Sequence, residues 1–326
     1  MQNCSNRKTE QRVKKMKKYC FGIDVGGTTV KCGLFSTEGV VLDKWEIPTR
    51  TEDDGKQILP DVAASIMGKL AEKNITPDSV TGIGIGIPGP VNENGCVPYA
   101  VNLHWGYVDI EGELKELTGI PVKAGNDANV AALGELWKGG GAGARSMIMV
   151  TLGTGVGGGI IIDEKIVPGF HGAGGEIGHV HVDDSITDPC NCGNCGCLEQ
   201  VASATGIARL AREELANSTD ESILRGKDHI SAKTVFNAVK EGDALAIRVA
   251  ERFGLYLGKA LAGFSCVVDP QIIVIGGGVS KAGPILLDFI EKNYRKYTFS
   301  ACRQTDFALA LLGNDAGIYG AAKMVC

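Results

Sequence analysis

The chain has 326 residues, with 33 basic against 38 acidic side chains for a formal net charge of −5, and 44% of its residues are hydrophobic. These values exclude wholesale disorder and a small stapled scaffold, predict about two domains, and argue against a protein built to wrap nucleic acid. The unusual counts are 46 glycines, about twice the usual share of ~7%, and 11 cysteines.

Residues 1–18 read as a basic, solvated tail: Lys14, Lys15, Lys17 and Lys18 sit among polar residues with no apolar period. From Tyr19 a strand, the turn Gly26-Gly27 and a second strand to Phe35 form a hairpin signal, and Gly39 to Ile47 predicts a third strand. Ile58, Val62, Ile66 and Leu70 give Ile58 to Lys73 helical spacing. An apolar strand follows, Val80 to Ile87, stopped by Pro88-Gly89-Pro90. Ala128 to Trp137 predicts a helix ending at Gly139.

The plan then recurs, with a strand at Met147 to Leu152, a glycine turn, and a second strand at Gly159 to Asp163. Helical segments follow at Ala202 to Ala216, Ser231 to Lys240 and Asp243 to Val267. A strand, Gln271 to Ile275, leads to the triplet Gly276 to Gly278, and helices are predicted at Pro284 to Tyr297 and Ala316 to Met324. Mixed strands and helices with two similar hairpins predict a duplicated α/β protein whose halves face a cleft. No run is long and apolar enough for a membrane span or a signal-peptide core, so a cytoplasmic location is expected.

Asp24-Val-Gly26-Gly27-Thr28 places a carboxylate, two glycines and a hydroxyl at one tight turn. Bare backbone there admits phosphate oxygens, and the carboxylate suits Mg²⁺ held through water; a turn with no ligand accounts for it equally well. Gly153-Thr154-Gly155-Val-Gly-Gly158 contains G-x-G-x-x-G. The β-branched run after it reads as strand, whereas a dinucleotide fingerprint opens a helix, so two phosphate-gripping hairpins holding one nucleoside triphosphate fit better. Gly276, Gly277 and Gly278 either lie against an adenosine or form a plain strand-to-helix loop. Asn126-Asp127 precedes a helix, and Asp127 is either its N-cap or a base that accepts a hydroxyl proton during phosphoryl transfer.

His179, Cys190, Cys192 and Cys197 have the spacing of a Cys₃His zinc site in a reducing compartment, with free buried thiols as the alternative. Cys195 ranks below them as a ligand, and His181 faces the other way if this stretch is a strand. Glu176 and Glu199 flank the site, either as solvated acids or as acceptors that read a polyhydroxylated substrate.

Asp24-Val-Gly-Gly-Thr28, Gly86-Ile-Pro-Gly-Pro90, Asn126-Asp-Ala-Asn129, Leu152-Gly-Thr-Gly155, Gly175-Glu-Ile-Gly-His179 and the Cys190 to Glu199 segment occur in order. On these motifs the chain, from Tyr19 onward, resembles the ROK family of repressors, open reading frames and sugar kinases, and most closely its ATP-dependent kinases. The resemblance implies an actin-like, ribonuclease-H-like duplicated fold. Residues 19–124 with about 312–326 would form a smaller domain, and residues 125–311 a larger one carrying the zinc loop.

It further implies transfer of the γ-phosphoryl group of ATP to the 6-hydroxyl of a hexose, glucose foremost. Asp127 is then the base, while Gly89, Asn126, Glu176, His179 and Glu199 contact sugar. Asp24, Gly26, Gly27, Thr28, Thr154 and Gly155 hold phosphates, and Gly276 to Gly278 line the adenosine. A homodimer is expected, without nucleic-acid or membrane partners. The alternatives are a kinase for N-acetylmannosamine, N-acetylglucosamine or fructose, or a sugar-responsive transcription regulator, which would need a DNA-reading module before Asp24. One departure from the family pattern stands at Thr187, where a glycine is usual three residues before the first cysteine.

Overall fold

The computed structural model describes residues 17–326, so most of the basic tail expected over residues 1–18 lies outside the described residues. Its first half runs β1 (Tyr19–Val25), β2 (Thr29–Ser36), β3 (Val41–Pro48), α1 (Ile58–Glu72), β4 (Val80–Ile87), β5 (Cys96–Val97), β6 (Val108–Asp109), α2 (Ile110–Thr118) and β7 (Val122–Asn126). Then come α3 (Asp127–Lys138), β8 (Met147–Leu152), β9 (Val156–Ile162), β10 (Lys165–Ile166), α4 (Glu199–Ala202), α5 (Ala204–Asn217), α6 (Ala232–Lys240) and α7 (Ala244–Val268). The chain ends with β11 (Ile272–Gly276), α8 (Ile285–Tyr297), β12 (Asp306–Leu309) and α9 (Ala316–Lys323).

Two five-stranded sheets carry the fold, in the orders β3-β2-β1-β4-β7 and β10-β9-β8-β11-β12. In each, three strands form an antiparallel meander, and on the free side of the first of them two further strands continue the sheet in parallel. The two orders are the same topology written twice, which is the duplicated actin-like α/β fold.

The alternating apolar residues of β1 and β4 pack on the helical stripe of α1: Phe21, Ile23, Ile83 and Ile85 meet Ile58, Val62 and Ile66. Val150, Ile273 and Ile275 of the second sheet pack against Phe253, Leu257, Leu286 and Tyr294 from α7 and α8. Each such side chain stabilises the fold by about 1.5–3 kcal/mol relative to exposure.

The helices α3 and α9 pack against each other and join the halves. α9 lies so close on the first sheet that a Cβ at Gly22 or Gly84 would collide with its backbone at Ile318 or Ala321. The buried Glu135 on α3 accepts N–H bonds from Gly140 at 2.9 Å, Leu311 at 3.0 Å and Leu312 at 2.8 Å. It thereby fixes the chain where it leaves the second sheet for α9. Among the described residues, no helix is long and apolar enough to cross a membrane.

Several elements differ from expectation. α2 and β7 were not anticipated, although α2 is framed by an Asp109 N-cap that accepts from the Gly112 N–H and by Gly119 at φ 71°. The helix expected from Ala202 is broken at Ser203, whose extended backbone and side-chain cap begin α5 afresh. β9 starts at Val156 and not Gly159 because residues 156–161 ladder with β8. Gly158 and Gly159 in it therefore serve close packing and not phosphate approach: added Cβ atoms would meet Gly175 O at 2.6 Å and Ala132 Cβ at 2.5 Å. Cys20 and Cys326, scattered thiols given no role by sequence, pair as a disulfide across a Cα separation of 6.4 Å.

Candidate active site and metal centre

Asp127 is the first residue of α3. The capping role falls to Asn126, whose Oδ1 accepts from the Asn129 N–H at 3.1 Å, a bond worth about 1 kcal/mol to the helix. That arrangement leaves the Asp127 carboxylate free for other work. Its Oδ1 accepts from the Ala128 N–H at 2.8 Å and the Asn126 Nδ2 at 3.1 Å, while Oδ2 has no protein partner among the described residues. Burial holds this carboxyl above the usual carboxylate range; the Ala128 N–H opposes the shift, and the negative charges of Asp24 and Glu176 add to it.

Asn126 Nδ2 also donates to Gly89 O at 3.1 Å, and Gly89 is at φ 144°. A cavity of about 320 Å³ opens here, lined by Pro88, Gly89, Pro90, Tyr99, Ala100, Val101, Asn102 and Asp127. Residues 99–102 were missed by sequence reasoning because they belong to no recognisable motif and enter the site through the Ala100 to Trp105 bridge. A larger cavity of about 620 Å³ is lined in part by Asn126 and does not reach Asp127.

The two glycine turns connect β1 to β2 and β8 to β9. In the first, the Gly26 N–H donates to Thr29 O at 3.0 Å, and the Thr49 hydroxyl donates to Gly26 O at 2.7 Å, leaving Gly27 and Thr28 exposed. Asp24, at the end of β1, is half-buried; burial raises its pKa, partly opposed by Lys31 across the ladder. In the second turn the Gly153 N–H donates to Gly155 O at 3.0 Å, and Thr154 is exposed. Gly277, at φ 82°, passes so close to this hairpin that a Cβ would stand 2.6 Å from Leu152 O, whereas Gly278 faces open space. Packing thus accounts for Gly277, and Gly276 ends β11.

His179, Cys190, Cys192 and Cys197 converge, with their ligand atoms all within 4.8 Å of one another. Cys192 Sγ and Cys197 Sγ are 3.6 Å apart, and Cys190 Sγ is 3.7 Å from His179 Nδ1. Such spacings match the edges of a tetrahedron with Zn–S near ~2.3 Å and Zn–N near ~2.0 Å. Burial pushes the Cys197 thiol up to about 12, so a thiolate there calls for a cation. The donor set fits zinc.

The two rivals are occupied elsewhere. Cys195 Sγ points to Thr187 O at 3.2 Å, and His181 joins Cys195 O and Asp184 Oδ1, each at 2.8 Å. The stretch holding His179 is a short 3-10 turn, Ile177–His179, and not a strand.

Glu199, which begins α4, bridges two parts of the site: Oε1 is 3.4 Å from Cys190 Sγ, and Oε2 accepts from the Val156 N–H at 3.1 Å. Glu176, by contrast, is open to solvent, its Oε2 3.9 Å from His179 Nε2. Glu199 lies so close to the second turn that a Cβ at Gly155 would collide with its carboxylate.

The geometry therefore sets a carboxylate of raised pKa at a small cavity, and through Glu199 it joins the Cys/His cluster to the second turn; known proteins share the chain's sequence and fold. The chain is 43% identical to a glucokinase of Halalkalibacterium halodurans over 93% of this chain and 94% of that one. It is 36% identical to a glucokinase of Thermotoga maritima over 93% and 96%. A solved ROK family glucokinase of Streptomyces griseus, in complex with glucose and AMPPNP, superposes with a TM-score of 0.70 at 33% identity, covering 94% of this chain and 99% of that one. With the ROK family profile matching residues 20–326, the chain belongs to the ROK family.

Proposed function

We propose that this protein transfers the γ-phosphoryl group of ATP to the 6-hydroxyl of glucose. The observation that carries the reading is Asp127: a carboxylate of raised basicity, with one oxygen uncommitted, at the mouth of a small cavity and within the electrostatic reach of Asp24. Similarity to glucokinases supports the choice of sugar.

In this reading, hexose enters against Gly89, Asn126 and Asp127, with Glu176, His179 and Glu199 completing its hydroxyl contacts. Asp127 Oδ2 accepts the 6-hydroxyl proton as that oxygen attacks the γ-phosphorus. Its raised pKa increases its affinity for that proton. Gly26, Gly27, Thr28, Thr154 and Gly155 present amides and hydroxyls to the triphosphate, and Gly278, which follows β11 and meets open space, faces the adenosine. Positioning and charge stabilisation supply most of the rate in such transfers.

Asp24 is the residue placed to hold Mg²⁺ through water, an ion that when bound would offset phosphate charge. His179, Cys190, Cys192 and Cys197 would hold a structural Zn²⁺ that keeps the Glu199 loop in place. Residues 19–124 with 312–326 and residues 125–311 are the two units expected to close on the substrates, because the first sheet carries Asp24 while the second carries Thr154.

An ADP-release assay across glucose, fructose, N-acetylmannosamine and N-acetylglucosamine tests the reading, and glucose should give the highest kcat/KM. No ADP release with any hexose would refute the kinase, and a higher kcat/KM for an acetamido sugar would replace the substrate. Metal analysis should find about one Zn²⁺ per chain.

A further inference from the structure

The second glycine turn is held from behind by the start of α5. The Ala204 N–H donates to Gly153 O at 2.8 Å, and the Thr205 hydroxyl donates to Thr154 O at 2.8 Å. Ser203, the fully buried N-cap of α5, accepts from the Gly206 N–H at 3.0 Å and lies 2.8 Å from the Thr205 hydroxyl. A hydroxyl has one proton to give. Since Thr205 spends its proton on the Thr154 carbonyl, Ser203 must donate to Thr205.

The chain of bonds therefore has one direction: Gly206 N–H to Ser203 O–H, to Thr205 O–H, to Thr154 C=O. Bonds in such a chain polarise one another, and this one begins at the positive end of a 14-residue helix.

Its far end is what matters. The Gly153 carbonyl shares a peptide unit with the Thr154 N–H, and the Thr154 carbonyl with the Gly155 N–H. Resonance couples the two ends of a peptide, so an acceptor engaged at its oxygen leaves its N–H a stronger donor. Among the described residues, those two N–H groups have no acceptor. Both carbonyls are tied to α5 while both amides are left without a protein acceptor.

We infer that Ser203 and Thr205 are positioning residues for phosphoryl transfer, which fix and polarise the Thr154 and Gly155 amides that receive phosphate oxygens of the nucleotide. The inference deepens the proposed function and rests on reading the Gly153 to Gly155 turn as a phosphate site. Capping of α5 alone does not explain the arrangement, because Ser203 completes the cap without Thr205, and Thr205 is exposed.

Thr205→Val removes the hydroxyl donor while keeping the side chain's shape, and Thr205→Ser restores it. Relative to wild type, Thr205→Val should lower kcat/KM for ATP about tenfold and weaken AMPPNP binding, measured by calorimetry, about fivefold. Thr205→Ser should stay within about twofold on both counts, and glucose binding without nucleotide should be unchanged in either variant.

AMPPNP affinity equal in Thr205→Val and wild type would overturn the inference, as would a matching loss of glucose affinity, which signals general disturbance. A wild-type protein that binds AMPPNP but phosphorylates no hexose would refute the proposed function alone. The calorimetric comparison would then still decide the role of Thr205. A wild type that binds no AMPPNP would overturn both.

Discussion

The two halves share a strand order but not a chemistry. Aligned on their turns, Gly26 corresponds to Gly153, so Asp24 at the end of β1 corresponds to Thr151 at the end of β8. Asp24 has Lys31 as its cross-strand partner, and Thr151 has Gly157. The first turn thus follows a half-buried carboxylate, the residue proposed to hold a cation. The second carries no charge, and its carbonyls are braced by the N-terminus of α5, which leaves the Thr154 and Gly155 amides without a protein acceptor among the described residues. In the proposed mechanism these two similar brackets divide the work, the first holding a metal ion and the second phosphate oxygens. Asp127 stands where the halves meet, at the junction of β7, the last strand of the first sheet, and α3.

The comparison is tested most severely at that junction. Asp127→Asn keeps the Asn126 cap and removes the base, so kcat should fall about 10³-fold or more while AMPPNP binding persists. A loss below about tenfold would show that the meeting point of the halves is not the reacting centre.

Asp24→Asn removes the charge that distinguishes the first turn. Its kcat should fall about 10²-fold, with the loss deepening as Mg²⁺ is lowered.

The raised pKa values of Asp24 and Asp127 give a third test. Both carboxyls bind a proton more tightly in the folded protein than in the unfolded chain, so stability falls as pH rises from about 3.8 through their folded values. At neutral pH, both Asn variants should therefore melt at or above the wild-type Tm, by a few degrees. A clear fall in Tm would mean that the buried carboxylates are structural partners and not functional costs. In wild type, kcat/KM should drop as pH falls through the raised pKa of Asp127.

The smallest effect is expected from Thr151→Val, the counterpart of Asp24, with kcat within about threefold of wild type. A collapse there would erase the division of labour between the turns.

Much of this was legible in the sequence because the signals are local. The hairpins, the helix at Ile58 and the parallel strand at Val80 follow from periodicity and glycine turns, and the Cys/His cluster follows from cysteine spacing. α2 and β7 went unread because their apolar residues are few and short-ranged, and only packing against the first sheet and α1 selects their conformation. Glu135 was invisible for a similar reason. Its three N–H partners, two of them some 175 residues away in the chain, come together only when α3 meets the segment leading to α9. Ser203 and Thr205 were absorbed into one expected helix, although a serine followed by a helical run is an N-cap signal that could have split it.

By itself, the sequence determined the family, the duplicated fold class, the two turns and the members of the Cys/His cluster, because turn geometry and thiolate spacing depend on neighbours a few positions apart. Tertiary structure alone decided that Asn126 and not Asp127 caps α3, that Gly158 and Gly159 serve packing, and that Glu199 joins the thiolate cluster to the second turn. Those assignments depend on which distant groups compete for one donor, one acceptor or one small space, and the chain sets that competition only once it has folded.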